Sequence, residues 1–206
     1  MTYRLVLADL AARGDAPALV SQTGFITYSE LAARAGVIGR TLRKSGILPG
    51  SAVALVSSGR GVGEAIGLVG VLTAGCVAVP LDASAPPQRL AAIVKGRGCR
   101  ALVQDEGAAA LAAGIDGALE PEDALLRVVL DEQGSLVTPQ APSSPAREIS
   151  VRDLSMAFIL HTSGSTGTPK PVPITWEGLD VFTAFLSGEI GLGAQDRVLR
   201  VAELVF

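Results

Sequence analysis

Three short apolar runs dominate the architecture available to this chain: Ala52-Val53-Ala54-Leu55-Val56, Cys76-Val77-Ala78-Val79-Pro80-Leu81 and Arg100-Ala101-Leu102-Val103-Gln104. Each is too short for a helix and lacks the polar alternation of a half-exposed strand, so each reads as a strand buried on both faces. Helical segments fall between them, Val62 to Ala74 and Gln88 to Lys95, the second opened by Pro86-Pro87. Strand, helix, strand repetition at similar spacing predicts an α/β fold, a layered parallel sheet flanked by helices.

The same pattern extends in both directions. Upstream, Leu5 to Ala12 has helical apolar spacing, and Ala18 to Ser21 with Gly24 to Tyr28 bracket a turn as two short strands. A helix capped by Ser29 then runs from Glu30 to about Gly46, with Arg40, Arg43 and Lys44 suiting its negative C-terminal end. Downstream, an Ala-rich helix is expected near Gly107 to Ala113 and a strand at Arg127 to Leu130. Asp131 to Asp153 lacks periodicity and carries Pro139, Pro142 and Pro145 among serines, so it reads as an extended surface connection. The expected organisation is an N-terminal α/β subdomain at 1–130, this connection at 131–153, and a second, incomplete subdomain at 154–206.

That last part holds the segment with chemistry in it. Met156-Ala157-Phe158-Ile159-Leu160 reads as a buried strand and opens into Thr162-Ser163-Gly164-Ser165-Thr166-Gly167-Thr168-Pro169-Lys170. Two glycines let backbone N–H groups turn inward, the hydroxyls of the interleaved serines and threonines add donors, and Lys170 adds a positive charge. This is a phosphate-gripping composition. It is not the Walker A spacing, because Pro169 precedes the lysine and Pro171 follows it. A Ser/Thr/Gly-rich surface connection is the rival reading of such a string. Beyond it Thr175 is expected to cap a helix from Trp176 or Glu177 to about Ser187, with a strand at Arg197 to Val201.

Composition narrows the function classes. Hydrophobic residues make up 49% of the 206 and aromatics only 4%, a core of Ala, Val, Leu and Ile. A net charge of -3 offers no basic footprint for nucleic acid or anionic membrane. No apolar run reaches the ~18 residues of a membrane span, and no signal region opens the chain, so the cytoplasm is the expected compartment. A mean hydropathy of +0.44 points to apolar surface that wants a partner. Cys76 and Cys99 have no metal-ligand spacing and read as buried small hydrophobes. Ser57-Ser58-Gly59-Arg60-Gly61-Val62-Gly63, between a strand and a helix, suggests a dinucleotide-binding turn, but Glu64 stands where a third glycine belongs.

Three ordered motifs give the chain a resemblance. Ile26-Thr27-Tyr28-Ser29-Glu30-Leu31, Leu72 to Asp82 with Ala74-Gly75 and Pro80-Leu81-Asp82, and Thr162 to Lys170 resemble successive motifs of the adenylate-forming (AMP-binding) superfamily. The pattern is most similar to nonribosomal peptide synthetase adenylation domains, with acyl-CoA synthetases next. The chain departs from it at Thr73, where lysine is common, at His161, often tyrosine, and at Pro171, usually glycine. The resemblance implies the N-terminal region of the large adenylation lobe. It implies ATP with Mg²⁺ as the complete enzyme's cofactor, the β and γ phosphates falling to Thr162, Ser163, Gly164, Ser165, Thr166, Gly167 and Lys170. It assigns this chain no catalytic side chain and no metal ligand. His161, the sole histidine, is read as packing or loop shaping ahead of general base.

In the family a carboxylate attacks the α-phosphate, pyrophosphate leaves, and the acyl adenylate passes to a thiol on CoA or a carrier protein. The substrate pocket, the Mg²⁺ and ribose ligands and the C-terminal catalytic lysine come later than Phe206 in the pattern. The expectation is therefore a truncated or split enzyme, inactive alone. Its partner is a complementing C-terminal polypeptide, or a second copy through the apolar Leu204-Val205-Phe206 end, with a carrier protein as a further candidate. The alternative is a non-catalytic docking module or pseudoenzyme, motivated by Pro171 and the missing half.

Overall fold

The computed structural model describes residues 7–21, 24–59, 62–141, 153–162 and 170–199. A helix α1 (Leu7–Ala11) leads into an antiparallel ribbon of β1 (Pro17–Ser21) and β2 (Gly24–Thr27), after which α2 (Tyr28–Lys44) begins. The α/β body follows as β3 (Ala52–Val56), α3 (Gly63–Thr73), β4 (Val77–Pro80), α4 (Pro87–Arg97), β5 (Ala101–Asp105), α5 (Ala109–Gly117), β6 (Leu126–Leu130), β7 (Leu136–Gln140), β8 (Met156–Thr162), β9 (Lys170–Thr175) and α6 (Trp176–Gly188). A 3₁₀ turn, Glu106–Ala108, precedes α5, where the sequence suggests a continuous helix.

Seven strands form one sheet in the order β7-β6-β5-β3-β4-β8-β9. The inner pairs β3/β4, β3/β5, β5/β6 and β4/β8 are parallel, and the two outer pairs are antiparallel. Alternate residues of the inner strands feed two separate cores. Val53, Leu55, Ala78, Ala101, Val103 and Val128 pack with Ile38 and Leu42 of α2 and Ile66 and Val71 of α3. Ala54, Val56, Val77, Val79 and Leu102 pack on the other side with Leu90 and Val94 of α4 and Ile115 of α5. Burial on both faces is why these strands carry no polar alternation. Helices α2 and α3 touch closely: a Cβ on Gly70 would lie 2.7 Å from Ile38 Cβ.

The start of α2 corrects one expectation. Its cap is Thr27, not Ser29: Glu30 N donates to Thr27 Oγ1 at 3.1 Å, and Thr27 N donates to Glu30 Oε2 at 2.8 Å. This reciprocal pair satisfies two N-terminal donors. Replacing Thr27 with alanine is expected to cost about 1 kcal/mol, against no more than about 0.5 for Ser29→Ala, measured by urea unfolding.

Both sheet edges are proline-bearing strands that the sequence does not announce. β7 forms inside the stretch read as an extended connection, pairing Val128 with Pro139. β9 carries Pro171 and Pro173 opposite His161 and Ile159. Prolines two residues apart present their nitrogens to one side, and an edge strand has an open side that needs no donor. The strand expected at Arg197 to Val201 does not form over 197–199; Arg200 and Val201 lie outside the described residues.

Candidate functional site

The phosphate-loop string sits between β8 and β9. Ala157 and Ile159 are buried, and β8 joins the sheet through the parallel pairing of Ala78 with Phe158, which fixes the strand that launches the loop. Thr162, the last residue of β8, pairs across the ladder with Lys170, the first of β9. The two ends of the string are thus held side by side, and both residues are exposed. Ser163, Gly164, Ser165, Thr166 and Gly167 lie outside the described residues. What the geometry supplies is a paired strand end bearing one hydroxyl and one ammonium. A hydroxyl donor beside a positive charge suits a polyanion.

His161 adjoins this strand end and is half-buried. Burial first, then the charge of Arg97, holds its pKa below the usual imidazole value, so the ring is neutral near pH 7. Its Nδ1 is buried and has no hydrogen-bond partner among the described residues. Among those residues no carboxylate orients the ring, as a histidine general base ordinarily requires. Nor do any three His, Cys, Asp or Glu side chains among them gather to hold a metal ion.

The glycine-rich turn after β3 is occupied from within. Asp105, at the end of β5, is buried and receives Ser57 Oγ at 2.6 Å, Ser58 N at 2.9 Å, Ser58 Oγ at 3.1 Å and, through its other oxygen, Ala108 N at 2.9 Å. A carboxylate stands against the start of this turn, and the donors of Ser57 and Ser58 are spent on it. Beside it Ser57, Gly63, Gly67, Gln104 and Asp105 line a cavity of about 10 Å³, the room of one water. Sequence reading missed Asp105; the available signal was an acidic residue directly before a helix start, the position of a cap. A second buried polar group, Arg127, donates to Asp116 and Gln104 and ties β6 to α5 and β5.

The two cysteines are free and buried. Burial pushes the Cys99 thiol up to about 12 and that of Cys76 to about 11, both from 9.0. Thiolate, not thiol, is the nucleophile, so native protein at pH 8 is expected to react with a disulfide reagent at least about tenfold more slowly than unfolded protein. Linkage has a definite sign here. A thiol whose folded pKa is raised resists ionisation only in the native state, so its stability is full below about 9 and is lost as the pH climbs towards the folded values. Titration from about pH 8 to about pH 10 in urea is expected to lower the unfolding midpoint.

Known proteins resemble this chain in sequence and in fold. The family model described as AMP-binding enzyme matches residues 7–206. Tyrocidine synthase 3 of Brevibacillus parabrevis is 31% identical over 192 residues, 93% of this chain and 3% of that protein. Pyochelin synthetase PchE of Pseudomonas aeruginosa is 34% identical over 193 residues, 93% of this chain and 12% of that protein. Among solved structures, the nonribosomal peptide synthetase FmoA3 with AMPPNP bound superposes with a TM-score of 0.74 at 26% identity, covering 100% of this chain and 21% of that one. ATP-bound MatB from Rhodopseudomonas palustris, at 24% identity and a TM-score of 0.66, shares the fold over 91% of this chain and 37% of its own. The chain spans only a small part of the curated relatives it matches. No described helix is long and apolar enough to cross a membrane.

Proposed function

This chain belongs to the AMP-binding enzyme family, and from that premise we propose that it is the N-terminal portion of an ATP-dependent carboxylate-adenylating unit, amino acids being the favoured substrates. The observation that carries the reading is the pairing of Thr162 with Lys170, which brings the two ends of the hydroxyl- and glycine-rich string side by side. We assign Thr162, Ser163, Gly164, Ser165, Thr166, Gly167 and Lys170 to the β and γ phosphates. Mg²⁺ accompanies ATP in the complete unit, and no ligand to it is assigned in this chain.

The chain's own contribution is electrostatic. The Lys170 ammonium neutralises charge that builds on the departing pyrophosphate, and the Thr162 hydroxyl donates to it and fixes its orientation. Neither residue activates the carboxylate or binds it. The chain is therefore inactive alone and requires a complementing C-terminal part, with a carrier protein as the thiol partner. We place it in the cytoplasm, a reading supported by two buried free thiols.

The test is carboxylate-dependent ATP–pyrophosphate exchange, assayed with this chain alone and with a polypeptide carrying the later adenylation motifs. Exchange only in the mixture is expected. Exchange by the isolated chain would overturn the need for a second part. The alternative, a docking module without catalysis, draws on Pro171 in the loop exit; it would be favoured by partner binding that survives Lys170→Ala with no measurable ATP affinity.

A further inference from the structure

His161 carries a buried atom with nothing to bond. Its Nδ1 is shut off from water and has no hydrogen-bond partner among the described residues. Such atoms are rare in native folds, and each calls for a partner. The ring is neutral near pH 7, so it holds a single N–H. Whichever nitrogen has that proton, Nδ1 needs a group that donates to it or accepts from it.

The strand fixes which way the ring faces. Phe158 packs against the core shared with α2 and α3, whereas Ile159 belongs to the core shared with α4 and α5. Alternation along β8 then puts His161 on the side of Ile159 and Thr162 on the side of Phe158. Residues paired across the ladder share a side, so Lys170 stands with Thr162 and Pro171 with His161. The ring's own side leaves Nδ1 unmet. Pro171 and Pro173 have no N–H and no polar side chain, Ile159 is apolar, and Arg97 of α4 acts on the ring by charge without bonding Nδ1. One residue further along, the chain enters a string with the hydroxyls of Ser163, Ser165, Thr166 and Thr168. A hydroxyl both donates and accepts, so it suits Nδ1 in either tautomer.

We infer that His161 is a positioning residue for the phosphate string, its Nδ1 bonding a hydroxyl of that string when the triphosphate is bound, an inference that rests on the function proposed above. The string is then held from both sides of the sheet, by Thr162 and Lys170 on one and by His161 on the other. His161 does not touch the triphosphate; it steadies the string that does.

The test compares variants of this chain complemented by a polypeptide carrying the later adenylation motifs. His161→Phe keeps a ring and removes both nitrogens. It is expected to raise the KM for ATP about tenfold with kcat within about threefold, because a string steadied equally in ground and transition states alters binding alone. An asparagine amide reaches the place of Nδ1 and a glutamine amide that of Nε2. His161→Asn is therefore expected to keep KM within about threefold of wild type, and His161→Gln to match His161→Phe. Equal losses in the two amide variants would reduce the residue to packing and overturn the inference, as would an unchanged KM in His161→Phe.

A second readout is independent of turnover. With isotope-labelled histidine in this chain alone, its sole histidine gives unambiguous ring nitrogen signals by NMR. Saturating ATP is expected to move the Nδ1 signal further than that of Nε2; an Nδ1 signal that stays put while ATP binds would overturn the inference. ATP that fails to bind the complemented enzyme would reject the phosphate assignment and this inference with it. Loss of ATP affinity in Lys170→Ala but not in His161→Phe would leave that assignment standing and reject only the anchor.

Discussion

Replacing Asp105 with alanine is expected to destabilise the fold by about 3 kcal/mol, the largest stability loss foreseen for a single polar side chain here. Its carboxylate joins two distant turns, accepting from Ser57 Oγ, Ser58 N and Ser58 Oγ on one side and from Ala108 N on the other. Hydrogen bonds to a charged group contribute roughly 1.5 to 3 kcal/mol each, but these losses are not all realised. Ser58 is exposed, so its amide and hydroxyl can turn to water; the buried Ala108 N–H cannot. The space around it is tight, since a Cβ on Gly107 would meet Ser58 Oγ at 2.6 Å. Urea unfolding of Asp105→Ala measures the loss, with Ser58→Ala expected at about 1 kcal/mol as the comparison. A loss below about 1 kcal/mol for Asp105→Ala would show that the turns are held by the sheet alone.

The inner sheet was legible because burial on both faces leaves a continuous apolar signature in β3, β4 and β5. The edges were not: a proline such as Pro139 marks an extended connection in the sequence, whereas an edge strand tolerates proline on its open side. Position in the sheet decides the meaning of the residue, and position is set by tertiary pairing. The cap of α2 was present in the sequence as Thr27-Tyr28-Ser29-Glu30; the threonine lies three residues ahead of the glutamate, the spacing a capping box needs, while Ser29 lies inside the first turn. Arg197 to Leu199 shows the converse. Its apolar composition suits a strand, but strand propensity expresses side-chain packing against neighbours, and these residues are exposed with no strand beside them among the described residues. The loop motif suggests phosphate binding by residue types alone, and the pairing of its ends adds what spacing does not state: the hydroxyl at one end and the ammonium at the other are ladder partners. Asp105 was legible only as a cap of the following turn, since its second role depends on donors from the distant Ser57 and Ser58.

Lys170→Ala is expected to lower pyrophosphate exchange by the complemented enzyme at least about 100-fold while leaving the fold intact. Removing one preorganised donor from a developing anion costs on the order of 10² to 10³ in rate, and of the two ladder partners at the loop mouth only the lysine carries charge. The lysine is exposed, so its truncation takes nothing from either core. Lys170→Arg retains the charge but not the compact ammonium, and an intermediate loss is expected. The neighbouring Pro171 separates loop chemistry from loop scaffolding. It occupies a register position opposite His161 in an edge strand, where a missing N–H costs the ladder nothing. Pro171→Gly is therefore expected to leave exchange within about threefold and to lower stability by about 0.4 to 1 kcal/mol, through the freer unfolded chain. Exchange within about threefold of wild type for Lys170→Ala would remove the lysine from the phosphate site. A large gain in exchange from Pro171→Gly would mean that proline suppresses the reaction, and would turn the balance towards the docking module that lost its chemistry.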